Sequence, residues 1–324
     1  MARASVVIPN YNGIEYIGAC LDAMRNQNRM PDRIIVVDNG SADGSAEYVR
    51  DLYPEVTLIR FPENTGFCGA VNRGIAESED MDYVILLNND TEAAPDFTGE
   101  LIRAMEKNRR IFSAQAQMLK MSDPEKIDDA GDLYCALGWA FARGKGRPKE
   151  DYGKPVRIFS ACAGAAIYRM SVLREIGTFD ERHFAYLEDT DIGWRARIRG
   201  YINYYVPSAV VLHVGSAASG SVYNLFKVKN TSRNSIYMIA KNMPPLQILI
   251  NLPFLVPGFL VKALFFASRG FGREYVRGIR NGFRLGREAA REGRVVKYEK
   301  KRLRWYLAIQ LELLANTVRR FTGK

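Results

Sequence analysis

The sequence predicts an α/β fold with a mostly parallel sheet flanked by helices. Over the first ninety residues, short β-branched and apolar runs alternate with helix-like segments, and short polar loops join them. This alternation is typical of right-handed βαβ units, in which consecutive strands lie parallel. Ligands of such sheets bind beyond the carboxyl ends of the strands. The loops that follow the strands are therefore the expected place for a site.

Four strands and three helices are predicted in this N-terminal part. The strands cover residues 4–9, 33–37, 56–61 and 83–87, and the helices lie near residues 17–24, 46–52 and 69–77. Three of the strands end in polar clusters, at residues 9–13, 38–45 and 88–90. Because the carboxyl ends of parallel strands meet at one edge of a sheet, we expect these clusters to converge.

The middle of the chain has a weaker pattern. Residues 143–155, rich in Gly, Lys, Arg and Pro, predict a surface loop. The remaining predicted elements are a small-residue strand at 159–168, a helix at 188–199, and short strands at 202–206 and 210–213. We predict two domains, an α/β domain over residues 1–240 and an apolar, basic helical region over 241–324.

The C-terminal region combines an apolar run with most of the positive charge. Residues 246–266 are strongly apolar, although Pro253, Pro257 and Lys262 interrupt them. The whole chain has a net charge of +10, and residues 269–324 alone carry sixteen Lys and Arg against five Glu. Arginines recur there every three or four residues, at 273, 277, 280, 284, 287, 291 and 294. On a helix they would form one cationic stripe.

An apolar helix followed by a cationic one predicts attachment to an anionic membrane surface, peripheral or monotopic, at the cytoplasmic face. The prolines favour an interfacial or re-entrant helix over a simple span. The alternative is that residues 246–266 form a buried helical hairpin of a homo-oligomer. A nucleic-acid-binding tail is disfavoured, because the basic segment adjoins an apolar one and lacks an aromatic-interleaved sheet motif.

Cysteine usage and the N-terminus agree with a reducing environment. The four cysteines, Cys20, Cys68, Cys135 and Cys162, lack the CxxC spacing of zinc sites and lie among apolar or small residues. We expect them to be reduced and buried. No signal peptide is expected before the first strand, because Met1 to Ser5 lead directly into it.

Two acidic clusters and a histidine predict a cation site with a nearby base. Asn88-Asn89-Asp90 follows a buried strand, Glu188-Asp189-Thr190-Asp191 opens a helix, and His213 lies downstream. A hard cation that holds a diphosphate needs oxygen ligands, and a carboxylate away from the metal can accept a proton. The alternatives are turn chemistry at a strand end, acids that favour a helix N-terminus, and a buried core histidine.

Two further loops have features of nucleotide binding. Asp38, at a strand end, could accept a hydrogen bond from the N3–H of a pyrimidine, although an Asx turn explains it equally well. The glycines in residues 64–74, ahead of a helix, suit a phosphate, although plain connections use them too. Neither GxGxxG after the first strand nor GxxxxGK[ST] occurs, which disfavours nicotinamide-binding and P-loop proteins.

Together these motifs resemble the inverting family 2 glycosyltransferases of the GT-A fold, and most closely their bacterial rhamnosyltransferase-like branch. The resemblance covers roughly residues 4–240. The motifs that carry it are Val7-Ile8-Pro9-Asn10-Tyr11-Asn12, Val37-Asp38-Asn39-Gly40-Ser41-Ala42-Asp43-Gly44-Ser45, Asn64-Thr65-Gly66, Asn88-Asn89-Asp90 and Glu188-Asp189-Thr190-Asp191. The family's order and approximate spacing are preserved.

The resemblance implies a nucleoside-diphosphate sugar donor, a divalent cation (Mg²⁺ or Mn²⁺) and a glycan or lipid-linked acceptor. Asp189 stands at the position of the catalytic base, and Glu188 and Asp191 would orient the acceptor or brace the loop. Asp90, at the metal-binding DxD position, and His213 would hold the metal. The predicted nucleotide-binding residues are Pro9, Asn10, Asn12, Asp38, Asn39, Ser41, Asn64, Gly66, Asn72, Asn88 and Asn89.

One departure from the family pattern concerns the metal. Asn88 replaces the first acid of DxD, so Asp90 is the only carboxylate there. This leaves open a catalytically weak or non-catalytic sugar-binding protein, against which the intact Asp189 argues. A nucleotidyltransferase is a further alternative, but residues 9–13 lack the basic residue that such enzymes carry after the first strand.

Overall fold

The computed structural model describes residues 2–215 and 223–322. Ten strands in these stretches form one sheet: β1 (Ala4–Asn10), β2 (Arg33–Asp38), β3 (Thr57–Arg60), β4 (Tyr83–Leu87), β5 (Thr91–Ala93), β6 (Ile111–Lys120), β7 (Asp123–Asp129), β10 (Val156–Ile158), β11 (Ala165–Arg169) and β12 (Ile202–His213). Between β7 and β10 the chain forms a separate hairpin, β8 (Asp132–Tyr134) and β9 (Ala140–Ala142).

The described helices are α1 (Ile17–Arg25), α2 (Ser45–Leu52), α3 (Gly66–Ala76), α4 (Phe97–Lys107), α5 (Met170–Ile176), α6 (Glu188–Ile198), α7 (Leu225–Asn242), α8 (Pro245–Ala267), α9 (Gly272–Arg291) and α10 (Leu303–Thr322). Short 3₁₀ turns cover Lys149–Tyr152, Glu181–His183 and Lys300–Arg302.

The predicted α/β class is confirmed, and parallel pairing is confined to part of the sheet. Strands β3, β2, β1 and β4 lie side by side and parallel. Strand β11 lies antiparallel between β4 and β6, and β12 is parallel to β6. Asn10 and Asp38, at the ends of β1 and β2, are register partners. The polar clusters after β1 and β2 therefore converge as expected.

The middle of the chain is more regular than its sequence pattern predicts. Strand β6 is ten residues long, and the polar residues that alternate with apolar ones along it, Ser113, Gln115 and Gln117, are buried instead of facing solvent. The small-residue strand predicted at 159–168 is confirmed only over its second part, where β11 begins at Ala165, and the shorter β10 ends just before the predicted range. The two strands predicted at 202–213 are one, β12, with a register shift between Val206 and Val210.

Helix α8 is the one helix in the described residues that is long and apolar enough to cross a membrane, a property that core helices of soluble proteins share. Only 17% of its most apolar window is buried. Pro253 and Pro257 lie inside α8, which continues past both. The predicted domain boundary at residue 240 falls within α7, so the two-domain division stays a prediction.

The C-terminal helices pack on the catalytic part. Leu255 of α8 and Leu313 of α10 join one buried cluster with Trp194 of α6 and Tyr134 of β8. The backbone of α8 approaches the β8–β9 hairpin at Gly258, whose carbonyl oxygen accepts a hydrogen bond from Trp139 Nε1 at 3.1 Å. A Cβ at Gly258 would lie 2.3 Å from the Leu137 carbonyl oxygen, so the contact requires glycine.

Candidate active site

Hydrogen bonds join the polar ends of β1, β2 and β4. Asn10 Nδ2 donates to Asp38 Oδ1 at 3.1 Å and to Ser45 Oγ at 2.8 Å. Asn89 Nδ2 donates to Asn10 Oδ1 at 2.8 Å. Ser41 Oγ accepts a hydrogen bond from the backbone of Asn12. Because Asn10, Asp38 and Asn89 come from three different strands, the sheet brings these predicted nucleotide-binding residues to one place.

A second cluster holds the loop that precedes α3. Asn39 Nδ2 donates to Asn64 Oδ1 at 3.1 Å and to the Gly66 carbonyl oxygen at 3.0 Å. Gly66 has a φ of +82°, and a Cβ there would lie 2.6 Å from the Phe184 ring. The glycine thus permits close approach of the loop that carries the acidic cluster. A role for Gly66 in phosphate binding stays a prediction.

The remaining predicted nucleotide-binding residues have different surroundings. Pro9 lies half-buried in β1, and Asn88 lies half-buried just after β4, with its backbone N–H bonded to Gly164. The Asn72 side chain, on α3, bonds the backbone of Phe179 in both directions, at 2.8 and 3.0 Å, and donates to Glu181. These bonds connect α3 to the segment before α6, so Asn72 braces that segment.

Strand pairing places Asp90 beside His213, although 122 residues separate them in the chain. Strand β5 pairs with β12, and Val214 N–H donates to the Asp90 carbonyl oxygen. His213 Nε2 lies 3.3 Å from Asp90 Oδ1. A carboxylate and an imidazole in this arrangement suit a divalent cation. The residues present therefore fit the metal that the resemblance implies.

Asp128 orients the histidine from its other side. Its Oδ2 lies 2.8 Å from His213 Nδ1, and its Oδ1 accepts a hydrogen bond from Lys145 Nζ at 2.8 Å. Burial would lower the pKa of His213, but the bonds to Asp128 and Asp90 raise it to about 9. A carboxylate behind a ligating histidine fixes the ring and favours metal binding at the other nitrogen. Asp128 is absent from the sequence-based assignment.

The predicted base, Asp189, lies at the N-terminus of α6 and is partly exposed, whereas its neighbours Glu188 and Asp191 are buried. Burial raises the pKa of Asp189, while hydrogen bonds from Asp132 and Thr190 lower it. Burial beside Asp189 raises the pKa of Glu188 to about 8. Asp189 is thus the least buried of the three acids, and its role as the base stays a prediction.

Asp132 is a second acid, beside Asp189, and the sequence analysis missed it. It begins β8, and its buried carboxyl is close enough to that of Asp189 for a hydrogen bond when one of the two is protonated. Burial raises the pKa of Asp132 well above its usual range, and the Asp189 charge raises it further. Burial and the neighbouring charge therefore favour the protonated form of Asp132, whose O–H can donate a hydrogen bond to the Asp189 carboxylate. Its proximity to Asp128 and Asp129 in the sequence is the only signal that pointed to it.

Asp129, Asp132 and Cys162 also lie close together, with one potential ligand atom from each within 4.8 Å of the others. Burial raises the pKa of the Cys162 thiol well above its usual range, so the thiolate that a metal needs is disfavoured. Gln115 holds the Asp129 carboxylate at 2.9 Å. Asp90 with His213 is the better candidate for a cation.

Asp191 braces α6. It has no exposed surface, and it accepts hydrogen bonds from Arg195 at 2.9 Å, Lys241 at 2.9 Å and Asn242 at 2.7 Å. Burial would raise the pKa of Asp191, but Lys241 and Arg195 hold it far below its usual range. Because Asp191 has no surface open to an acceptor, its contacts favour bracing, the second of the two predicted roles, and its role stays a prediction.

Helix α7 also holds the strained loop before the base. Phe184, Tyr186 and Leu187 have φ values of +61°, +74° and +69°, which cost energy in residues with a side chain. The buried Asn234 Nδ2 lies 2.8 to 2.9 Å from the carbonyl oxygens of His183, Ala185 and Tyr186. Sequence analysis predicted no helix over α7 and missed this clamp.

Comparisons with known proteins place this site in a family. The family model described as glycosyl transferase family 2 matches residues 5–177. The chain belongs to glycosyl transferase family 2. The match covers β1 to β11 and the strand-end network, and it ends before the segment that carries Asp189.

Curated relatives of this glycosyltransferase include rhamnosyltransferases. The chain is 29% identical over 242 residues to the N-acetylglucosaminyl-diphospho-decaprenol L-rhamnosyltransferase of Mycobacterium tuberculosis, which covers 66% of the chain and 77% of the relative. It is 24% identical over 227 residues to the O-antigen chain rhamnosyltransferase RfbN of Salmonella typhimurium, covering 65% of the chain and 66% of the relative. The protein is therefore rhamnosyltransferase-like.

Solved structures agree on a GT-A-like fold. GalNAc-T7 with UDP, GalNAc and Mn²⁺ matches with a TM-score of 0.58 at 18% identity, covering 74% of this chain and 50% of that one. The mannosyltransferase PcManGT from Pyrobaculum calidifontis with GDP-Man and Mn²⁺ matches with a TM-score of 0.54 at 16% identity, covering 100% and 88%. At these identities the likeness shows the fold alone.

We expect Asp132 to set the acid limb of the pH profile. Asp132→Ala removes the hydrogen bond that lowers the pKa of Asp189, so the acid limb of kcat/KM should move to higher pH. At the acidic end the loss should be about tenfold, the lower range for a charge-assisted hydrogen bond. Asp132→Asn keeps a donor and should leave the limb near its wild-type position. Superimposable profiles for all three proteins would contradict this role.

Proposed function

We propose that this glycosyltransferase transfers L-rhamnose from dTDP-L-rhamnose, or a hexose from a UDP-sugar, with inversion to a hydroxyl of a lipid-linked glycan in cell-surface polysaccharide synthesis. The observation that carries the proposal is the placement of Asp189. This partly exposed carboxylate, with the acid Asp132 behind it, follows the loop whose Phe184 packs on Gly66, and Asn39 of the strand-end residues bonds Gly66.

In the proposed mechanism Asp189 accepts the proton of the acceptor hydroxyl as that oxygen attacks the anomeric carbon. Attack from the face opposite the leaving nucleoside diphosphate inverts the configuration in one displacement, so no enzyme nucleophile is needed. Asp90 and His213 would hold the divalent cation, which neutralises charge on the leaving diphosphate. Asp128 orients the His213 ring, and Asp132 hydrogen-bonds the base.

The names of the relatives support the choice of donor and acceptor. Two are rhamnosyltransferases, and one of these names N-acetylglucosaminyl-diphospho-decaprenol as its substrate. Asp38, buried at the end of β2, is the proposed partner of the pyrimidine N3–H and would exchange its present bond to Asn10 for one to the base. A hexose from a UDP-sugar stays open, because no described side chain distinguishes thymine from uracil.

The donor and the metal are tested together by incubating the protein with dTDP-L-rhamnose, UDP-sugars and GDP-mannose. We expect transfer from a pyrimidine nucleotide sugar, loss of activity in EDTA and recovery with Mn²⁺ or Mg²⁺. Asp90→Ala should lower kcat by about two powers of ten, because the leaving diphosphate loses its counter-charge. Preferential use of GDP-mannose, or full activity in EDTA, would contradict the assignment.

Membrane association is part of the proposal. Leu249, Leu260 and Leu264 of α8 are 63%, 58% and 73% exposed, and the arginine-rich α9 follows. Apolar side chains would enter the cytoplasmic leaflet while arginines meet anionic headgroups.

Flotation with phosphatidylglycerol vesicles tests this on the full chain, because removing α8 and α10 would expose the core around Trp194. L249E/L260E/L264E should abolish flotation, since each substitution brings a charge into the bilayer interface. Control substitutions L52E and M30E, at apolar side chains exposed elsewhere, should leave flotation unchanged. Equal flotation of all variants would contradict the membrane assignment.

A further inference from the structure

A cationic cavity of about 990 Å³ lies next to the candidate active site. Its lining includes five arginines and a lysine, against one carboxylate, Asp151. The cations come from the segment after β9, from β10 and from the last turn of α10: Arg143, Lys145, Arg147, Arg157, Arg319 and Arg320. Its size is that of a small-molecule site. Nothing described above assigns it a ligand.

The arginines of this cavity lack acidic partners. Within residues 2–215 and 223–322, none of the five makes a salt bridge, and only Lys145 does, to Asp128. Arg143 is held in place without a counter-ion, over the rings of Tyr152 and Tyr205 at 4.7 and 5.4 Å. Five guanidinium groups that share a cavity with one carboxylate and form no salt bridge within the described residues are suited to an anion with several oxygens, such as a diphosphate.

Two connections link the cavity to the catalytic groups. Lys145 binds Asp128, which binds His213 Nδ1, each at 2.8 Å. Ala142, which lines the cavity, is the register partner of Asp132 in the β8–β9 hairpin. Asp132 in turn hydrogen-bonds the base Asp189. The hairpin therefore reaches from the base to the cavity.

The opposite side of the same hairpin region meets the apolar helices. Trp139, in the β8–β9 turn, bonds the Gly258 carbonyl of α8 and carries Lys262 over its ring at 5.5 Å. Arg320 of α10 lies over the Phe141 ring of β9 at 5.5 Å. The exposed apolar face of α8 thus begins close to the cavity. Asp189, the cations of the cavity and the apolar surface of α8 therefore lie in that order along the molecule.

We infer that this cavity binds the diphosphate of a lipid-linked acceptor, with the acceptor sugar toward Asp189 and the lipid chain toward α8. The inference rests on the proposed function and adds the group by which the acceptor is recognised. The arginines would bind oxygens of the acceptor's own diphosphate, which takes no part in the reaction. The donor diphosphate has its own charge partner at Asp90 and His213, through the cation.

Binding of farnesyl diphosphate, measured by calorimetry in the presence of saturating dTDP and Mn²⁺, tests the cavity without relying on transfer. We expect R319Q/R320Q to weaken this binding at least tenfold, because two charge-assisted contacts are lost. R147Q/R157Q, on other walls of the cavity, should have a similar effect. The matched control K107Q/R109Q removes two exposed charges between α4 and β6, outside the lining of the cavity, and should bind as wild type.

Transfer assays then separate this inference from the proposed function. With an N-acetylglucosaminyl diphosphate lipid as acceptor, R319Q/R320Q should raise the acceptor KM about tenfold and leave the donor KM unchanged. With octyl N-acetylglucosaminide, which has no phosphate, the variant and wild type should be equal. If no sugar is transferred but the cavity variants still bind farnesyl diphosphate weakly, the proposed function fails and the cavity assignment stands.

Wild-type affinity for farnesyl diphosphate in both cavity variants would overturn the inference. Flotation with phosphatidylglycerol vesicles tests whether the phosphate that the arginines bind belongs instead to a lipid headgroup. If the cavity variants lose vesicle binding while their affinity for farnesyl diphosphate is unchanged, the arginines bind lipid headgroups and the acceptor assignment is wrong.

Discussion

Asp189→Asn is expected to lower kcat by about two to four powers of ten, the usual cost of removing a general base. The amide cannot take the acceptor proton, yet it has nearly the same shape as the carboxylate. The hydrogen bond from Thr190 N–H, now 2.6 Å from Asp189 Oδ1, can be kept by the amide oxygen. Fold and donor affinity should therefore change little. Steady-state kinetics and calorimetric titration with dTDP measure the two effects separately.

The control for this variant is Asp51→Asn, on the exposed end of α2 and away from the site. It should have wild-type turnover. Retained turnover in Asp189→Asn would remove Asp189 from the mechanism, whereas loss of dTDP binding would show that Asp189 serves the donor side of the site.

Lys241→Met is expected to cost about 3–5 kcal/mol of unfolding free energy, as breaking a buried ion pair does. The ammonium lies 2.6 Å from Asp180 and 2.9 Å from Asp191, and all three side chains are at least 90% buried. Methionine fills the space but removes the positive charge shared by the Asp180 and Asp191 carboxylates. Of these two carboxylates, Arg195 contacts only Asp191. Urea unfolding monitored by tryptophan fluorescence gives the difference.

Lys107→Met, at the exposed end of α4, is the matched control and should change stability by no more than about 0.5 kcal/mol. Equal stability of both variants would show that Asp191 and Asp180 are compensated by other groups, and the bracing role of α7 would lose its basis. A stable Lys241→Met protein with reduced kcat would instead limit the role of Lys241 to positioning α6.

The N-terminal part of the fold, up to β4, was predictable because its signals are local. Strands β1, β2 and β4 have apolar, largely β-branched centres, and the polar residues that follow them converge because parallel strands end at one edge. Asn10, Asp38 and Asn89 are joined by hydrogen bonds as a consequence. Here the sequence pattern of the strands and the topology of the sheet predict the same cluster of polar residues.

The residues that complete the site depend on long-range pairing, for which the sequence has little signal. Asp128 reaches His213 only through the pairing of β7, β6 and β12. Asn234 clamps carbonyl oxygens about fifty residues away, on a helix whose polar residues are buried. A buried Asn or Asp on a helix looks like a solvated residue in the sequence. Such residues were therefore missed or, like Asp191, left with two alternative roles.

The most direct test of the account is the anomeric configuration of the product. The protein is incubated with dTDP-L-rhamnose, Mn²⁺ and an N-acetylglucosaminyl diphosphate lipid, and the new glycosidic bond is examined by NMR. One displacement with Asp189 as base predicts a rhamnoside of configuration opposite to that of the donor, which Asp189→Asn does not form. A product with retained configuration, or no transfer from any pyrimidine nucleotide sugar, would contradict it.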